Sequence, residues 1–267
     1  MDRRFSLAAV LVILIGGAIY LWLNPDAPVD TTPAPNPSSE ARPTPIAPEP
    51  SAPLPVSPTG PAFYVLAITW FPGFCELHPA VPECRGTTDY QNSHFALHGL
   101  WPGDEYCGVS DVVRSTDENG RWDRLPAVEL TDATRAALRR AMPGTRSQLE
   151  RHEWIAHGTC AGMTAETYFR NAAALIETIN ASPVRDLFVA NIGEMLPSSA
   201  VRSSFDKSFG SPSGRRVRMA CEELDGHTTL TELTLNLYGT LGKDSLRAML
   251  AAARTRSPGC PEGLVNR

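Results

Sequence analysis

The chain has 267 residues, 42% of them apolar and 20% charged, with 24 basic against 29 acidic side chains and a formal net charge of −5. That length allows one or two domains. The mildly acidic balance excludes a protein that coats polyanions through a general positive field, so any nucleic acid partner must be gripped locally.

In chain order, Asp2-Arg3-Arg4 precedes an uncharged, mostly apolar run from Phe5 to Leu23. Such a run spans about 28 Å as a helix, close to the hydrocarbon thickness of a bilayer. The apolar core of a signal peptide is shorter, about 7–15 residues, and ends in a small-residue cleavage site. Here Tyr20, Trp22, Asn24 and Pro25 follow, with no A-x-A. Residues 1–23 therefore read as a signal anchor or signal peptide, the length favouring the anchor. Residues 5–23 would sit in the membrane, with Arg3 and Arg4 cytoplasmic and the rest exported, periplasmic or extracellular. Residues 24–61 are about one-third proline. They favour extended polyproline II and read as a semi-rigid linker.

Residues 62–267 are long enough for a single core and carry 21 basic and 24 acidic side chains. Strands are predicted over 63–70 and 94–100, the latter apolar on both faces and hence central. The stretch 102–126 reads as loop, with Pro102, Gly103, Gly108, Gly120 and Pro126. Helices are predicted from Thr131 to about Met142 and over 147–157. A third covers 165–180, capped by Thr164, with Tyr168, Phe169, Leu175, Ile176 and Ile179 in its apolar stripe. A short helix begins at Ser182-Pro183. Residues 200–209 look helical, 216–221 and 229–238 look like strands, and 243–254 like a terminal helix. Helices in the middle and strands at both ends make an α+β class, with an antiparallel-rich central sheet and several packed helices. No internal repeat is visible.

All six cysteines, Cys75, Cys84, Cys107, Cys160, Cys221 and Cys260, lie in this segment. An even count beyond an export segment predicts three disulfides, with fifteen possible connectivities. No C-x-x-C occurs, which disfavours a zinc or redox site.

The chemistry concentrates in Arg151-His152-Glu153-Trp154-Ile155-Ala156-His157-Gly158-Thr159-Cys160, and in His98 within Phe95-Ala96-Leu97-His98-Gly99-Leu100-Trp101-Pro102. Two histidines able to trade a proton, with a carboxylate beside one, are what acid–base cleavage of a phosphodiester needs. In a helix over 147–157, Glu153 and His157 share a face, so the carboxylate should raise the pKa of that imidazole. His152 and His157, five apart, should diverge. The string H-E-x-x-x-H is one residue too long for the zinc-protease H-E-x-x-H, in which both histidines share a face. No metal and no cofactor are implied.

The two motifs resemble the HGLWP and HEWxKHGTC segments of the ribonuclease T2 family. The first is intact at His98–Pro102; the second has Ala156 where the family has lysine. Tyr64–Cys75 and Leu230–Leu237 resemble the family's opening and late strands, so the resemblance covers about residues 62–263. It implies a disulfide-stapled ribonuclease T2-like domain over 62–267. The implied activity is an endoribonuclease that cleaves single-stranded RNA through 2′,3′-cyclic phosphate ends, as a monomer. The implied bridges are Cys75–Cys84, Cys107–Cys160 and Cys221–Cys260. His157 would be the base and His98 the acid, while Glu153 and His152 contact the phosphate or stabilise the transition state. Trp101 would stack on a base or serve the core. Loss of the lysine would slow the reaction unless Arg151 substitutes, and a lysine restored at 156 should sit on open helix surface. The alternative is a weak or inactive extracytoplasmic RNA-binding protein on the same fold. His78, His94 and His227 read as structural or surface histidines, and Arg215, Arg216 and Arg218 as a solvated strand end.

Overall fold

The computed structural model describes residues 60–267. The expected anchor at residues 5–23, and all but the last two residues of the linker at 24–61, lie outside the described residues. Among the described residues no helix is long and apolar enough to cross a membrane.

In chain order the elements are β1 (Ala62–Trp70), α1 (Phe71–Leu77), β2 (Phe95–Trp101), α2 (Asp111–Glu118), α3 (Asp132–Ala141), α4 (Leu149–Ala156) and α5 (Ala165–Asn180). They continue with α6 (Pro183–Ala190), β3 (Met195–Pro197), α7 (Ser198–Phe209), β4 (Val217–Leu224), β5 (His227–Gly239), α8 (Leu246–Ala252) and β6 (Glu262–Leu264). The result is the expected α+β class. β5 is the spine of the sheet: β1 pairs antiparallel along one edge and β4 along the other, while β2 pairs antiparallel with the far side of β1. β6 touches β5 in parallel at Thr229 and pairs antiparallel with β3.

Alternation sorts the strands into two faces. Leu66, Ile68 and Trp70 of β1, Leu97 and Leu100 of β2, and Leu233, Leu235 and Leu237 of β5 are buried. They form the core with Tyr168, Phe169, Ile176 and Ile179 of α5 and Phe188 of α6. Trp70 meets Phe95 edge-on at 5.4 Å and Phe188 at 5.2 Å. The other face carries Ala67, Thr69, Ala96, His98 and Glu232.

The strand over 94–100 is not central, as its apolarity suggested, but the sheet's edge. Its burial comes from α5, whose side chains occupy the edge hydrogen-bonding groups. Asn180 Oδ1 accepts from the Phe95 N–H at 2.9 Å, Asn180 Nδ2 donates to Phe95 O at 3.0 Å, and the Tyr168 hydroxyl donates to Leu100 O at 2.6 Å. An edge so covered cannot recruit another strand. The stretch read as loop contains α2, an amphipathic helix too short for its pattern to stand out among the glycines. The predicted strand over 216–221 runs on to Leu224. It turns into β5 through Asp225-Gly226, both at positive φ (50° and 80°), the hairpin signature of an Asp-Gly pair.

Disulfides join Cys75 to Cys84, Cys107 to Cys160 and Cys221 to Cys260, the pairing that the resemblance implied. Cys107–Cys160 ties the loop after β2 to the turn after α4. Three such bridges suit an oxidising, extracytoplasmic compartment.

Candidate active site

Two β-bulges shape the site. The register of β1 with β2 steps from Ala67↔Gly99 to Ile68↔Leu97, leaving His98 without a partner. The register of β4 with β5 steps from Ala220↔Glu232 to Cys221↔Leu230, leaving Thr231 unpartnered beside Glu232. Such insertions re-aim side chains. Here they turn His98 and Glu232 towards each other across β1, where Ala67 and Thr69 are small enough to leave room. His98 Nδ1 lies 2.7 Å from Glu232 Oε2.

On the other side of His98, Nε2 is 3.7 Å from Glu153 Oε1. Glu153 comes from α4 and is 1% exposed. Its Oε2 accepts from Trp101 Nε1 at 2.9 Å. Its Oε1 has no hydrogen-bond partner among the described residues. Gly99 makes this approach possible: a Cβ there would collide with the Glu153 carboxylate and the Trp101 indole nitrogen. Trp101 is thus neither plain core nor a free stacking platform. Its N–H is committed to Glu153, and its ring lies 5.4 Å from His98 and 5.5 Å from His157.

His152 is held from outside the two motifs. Its Nδ1 lies 2.9 Å from both oxygens of Asp117, a buried residue of α2 that also accepts from the Tyr106 hydroxyl at 2.8 Å. The ring stacks on Trp122 at 4.8 Å and 18°. Its Nε2 faces Glu153 Oε1 at 4.0 Å.

His157 departs from the sequence expectation. α4 ends at Ala156, and His157 takes φ −124° and ψ −50° outside the helix. The ring therefore does not continue the helix face of Glu153. It turns back until the His152 and His157 rings are 6.0 Å apart. Potential ligand atoms of His152, Glu153 and His157 lie within 4.8 Å of one another. His152 and His157 therefore converge instead of diverging, because the helix does not run through residue 157.

The electrostatics separate the imidazoles. Burial pulls the His98 pKa down, but the hydrogen bond His98 donates to Glu232 and the charges of Glu153 and Glu232 outweigh it and push it up to about 9. At His152 burial also lowers, and Asp117 and Glu153 raise it on balance. At His157 burial, then the positive charges of His152 and His98, lower the pKa to about 4. The expected lift of His157 by Glu153 does not occur. Burial raises the pKa of Glu153 itself, with His98 and His152 opposing. At neutral pH one imidazole thus holds its proton and another has a free lone pair.

Ala156 is 2% exposed and its carbonyl accepts from the Tyr106 N–H at 2.8 Å. It does not offer the open surface expected for a restored lysine. Arg151 is no substitute either: its Nη1 donates to Asp123 O and Leu125 O, each at 2.9 Å, away from the cleft. His78, read as structural, lines a cavity of about 340 Å³ that also takes in His98, Phe71 and Glu83. His94 stacks on Tyr90 at 3.9 Å. Glu232, Asp117 and Trp122 were missed from sequence. Glu232 had a signal, as the only carboxylate in β5; Asp117 and Trp122 had none.

The sheet, the three disulfides and a cleft that gathers His98, His152, Glu153, His157 and Glu232 define the α+β scaffold and its candidate site. The chain belongs to the ribonuclease T2 family, whose sequence pattern matches residues 61–247, and it is a T2-type ribonuclease. It is 29% identical over 219 residues to ribonuclease I of Escherichia coli, covering 71% of this chain and 78% of that protein. It is 23% identical over 181 residues to intracellular ribonuclease LX of Solanum lycopersicum, covering 66% and 68%. Among solved structures, the self-incompatibility associated SF11-RNase of Nicotiana alata superposes with a TM-score of 0.51 at 17% identity, over 77% of this chain and 98% of that one. Ribonuclease MC1 from bitter gourd seeds gives 0.50 at 14%, over 76% and 98%. At these identities the structural likeness is one of fold.

Proposed function

We propose that the protein is an endoribonuclease that cleaves single-stranded RNA by transesterification, without a metal ion. The observation that carries this reading is the convergence of His98, His152, Glu153 and His157 on one cleft, with the pKa of His98 pushed up and that of His157 pushed down. Environments that push two titratable groups apart assign acid and base. RNA supplies its own nucleophile. The free nitrogen of His157 takes the proton of the 2′-hydroxyl, the 2′-oxygen bonds to phosphorus, and the bond from phosphorus to the 5′-oxygen breaks. His98 gives its proton to that leaving oxygen. The products are a 2′,3′-cyclic phosphate and a 5′-hydroxyl. Charge that develops on the phosphate oxygens is met by His152, whose pKa Asp117 and Glu153 raise, and which Asp117 orients and Trp122 backs. Glu153 keeps His98 and His152 charged, and Glu232 keeps the His98 ring aimed and protonated. Trp101 fixes Glu153 through its indole N–H.

The domain layout in this reading is an anchor or signal peptide over 1–23, a linker over 24–61 and the catalytic domain over 62–267, exported and monomeric. The apolar run and the proline content support the layout, and the disulfides support export. One observation favours a second reading: His152, Glu153 and His157 converge closely enough to bind a divalent cation. The test is incubation of the protein with single-stranded RNA, or with DNA of the same sequence, in excess EDTA. We expect RNA alone to be cut, with cyclic phosphate ends. Activity that stops in EDTA and returns with zinc or magnesium replaces the metal-free mechanism.

A further inference from the structure

The face of the sheet that carries His98 and Glu232 does not end at the cleft. Register pairs continue it along β1 and β5, from Thr69↔Glu232 through Ala67↔Thr234 and Val65↔Asn236 to Phe63↔Tyr238. The same row as Val65 and Asn236 takes in Trp101, which flanks both His98 and His157. Tyr238 stands six residues beyond Glu232, about 20 Å along an extended strand. There a groove of about 640 Å³ is lined by Phe63, Asn236, Tyr238 and Arg254, among others. Tyr238 is 43% exposed, one of only three large apolar side chains so open among the described residues, and Phe63 is half-buried beside it.

The charge along this strip runs against that of the domain. Arg218 pairs across the strands with Thr234, and the segment after α8 lays Arg254 and Arg256 over the same face. Arg256 Nη1 donates to Asn236 Oδ1 at 2.7 Å, and Asn236 Nδ2 donates to Arg254 O at 3.2 Å, which fixes that segment to the sheet. None of the three arginines forms an ion pair among the described residues, although four other arginines do. Burial and the charge of Arg218 both lower the pKa of Arg256, with Glu232 opposing. Three arginines gathered beside a cleft, where the nearby Glu232 carboxylate is hydrogen-bonded to His98, favour an anionic occupant. Exposed aromatic rings between them favour one with flat bases.

We infer that this strip is an outer subsite for single-stranded RNA, in which a base lying outside the scissile dinucleotide stacks on Tyr238 against Phe63 while its backbone phosphates meet Arg254 and Arg256. The inference rests on the ribonuclease reading above. With Tyr238 about 20 Å along the strand from Glu232, the strip should distinguish long substrates from short ones. Because bases stack on aromatic faces whatever their identity, the strip adds affinity without sequence preference.

The test compares the full-length protein with Tyr238→Ala/Arg254→Ala and with Tyr238→Phe on a dinucleoside monophosphate and on a decamer of single-stranded RNA. A 2′-O-methyl decamer, which lacks the nucleophile, is titrated by fluorescence anisotropy in parallel. We expect the double variant to lose about tenfold in kcat/KM on the decamer and a similar factor in affinity for the 2′-O-methyl strand, from one stacked base and one phosphate contact. Its rate on the dinucleotide should stay within about twofold, and Tyr238→Phe should behave as the parent, since the ring and not the hydroxyl stacks. The decamer advantage should also shrink as salt rises. Equal losses on both substrates, or no loss on the decamer, overturn the subsite. The binding arm needs no turnover, so a wild-type protein that binds the 2′-O-methyl strand through this strip but cuts neither RNA would sink the ribonuclease mechanism while leaving the subsite standing.

Discussion

His98 is held between two carboxylates from different elements, Glu232 at 2.7 Å and Glu153 at 3.7 Å. Its pKa of about 9 and the value of about 4 at His157 set the expected limits of activity. In the proposed mechanism His157 acts as an unprotonated base, so the rate should fall as pH drops through its value. His98 acts there as a protonated acid, so the rate should also fall as pH rises through the His98 value. Glu232→Gln keeps a hydrogen-bond acceptor but removes the charge, and the folded pKa of His98 drops. The alkaline limb of kcat/KM should then move to lower pH, by about one unit or more, with the acid limb little changed. A pH–rate profile of each protein measures this, and an unmoved alkaline limb removes Glu232 from the mechanism. Much of this site was legible from residues alone. His98, Glu153 and His157 stand out because two short motifs concentrate groups with acid–base chemistry. Glu232 and Asp117 were not chosen, because contacts spanning 134 and 35 positions set their roles. The directions of His152 and His157 were not legible, because helical spacing says nothing once the helix stops at Ala156.

At the scale of elements, long periodic segments were readable and short or context-dependent ones were not. α5 follows its apolar stripe and its Thr164 cap, whose hydroxyl accepts from the Thr167 N–H. β2 looked central because it is apolar on both faces, and only the Asn180 and Tyr168 hydrogen bonds explain how an edge strand stays dry. The bulge at His98 has no sequence signature beyond the glycine that follows it. Gly99 is not needed for an unusual φ but for space, since Glu153 and Trp101 occupy the volume of its absent Cβ. Gly99→Ala should therefore destabilise the fold by about 1–3 kcal/mol through overpacking. It should lower activity more than stability, because the displaced groups are those that set the charge of His98. Denaturant titration beside turnover checks this; an alanine variant with both quantities unchanged would mean that the carboxylate can move aside freely.

At the scale of the whole molecule, two sequence motifs that are far apart in the chain must share one cleft, and the sheet alone does not join them. β2 carries His98 and Trp101; α4 and the turn after it carry His152, Glu153 and His157. The chain between them includes α2 and α3, so their relative placement depends on cross-links. Cys107–Cys160 is the covalent one, closing 53 positions and anchoring the turn after His157 beside Tyr106, whose hydroxyl reaches Asp117 and whose N–H reaches Ala156. Cys75–Cys84 closes only nine positions and lies outside this junction. On the chain-entropy model the longer loop is worth about 4 kcal/mol and the shorter about 2.5. Replacing Cys107 and Cys160 by serine should therefore lower the thermal midpoint more than the same change at Cys75 and Cys84. The difference in activity should be larger still, because slack at Tyr106 loosens Asp117 and, through it, His152. Peptide mapping without reduction establishes the pairing in the parent, and turnover measured well below each variant's melting temperature separates a loose site from an unfolded chain. If the two serine pairs lose activity only in proportion to their stability, the bridge is a staple for the fold and does not align the motifs.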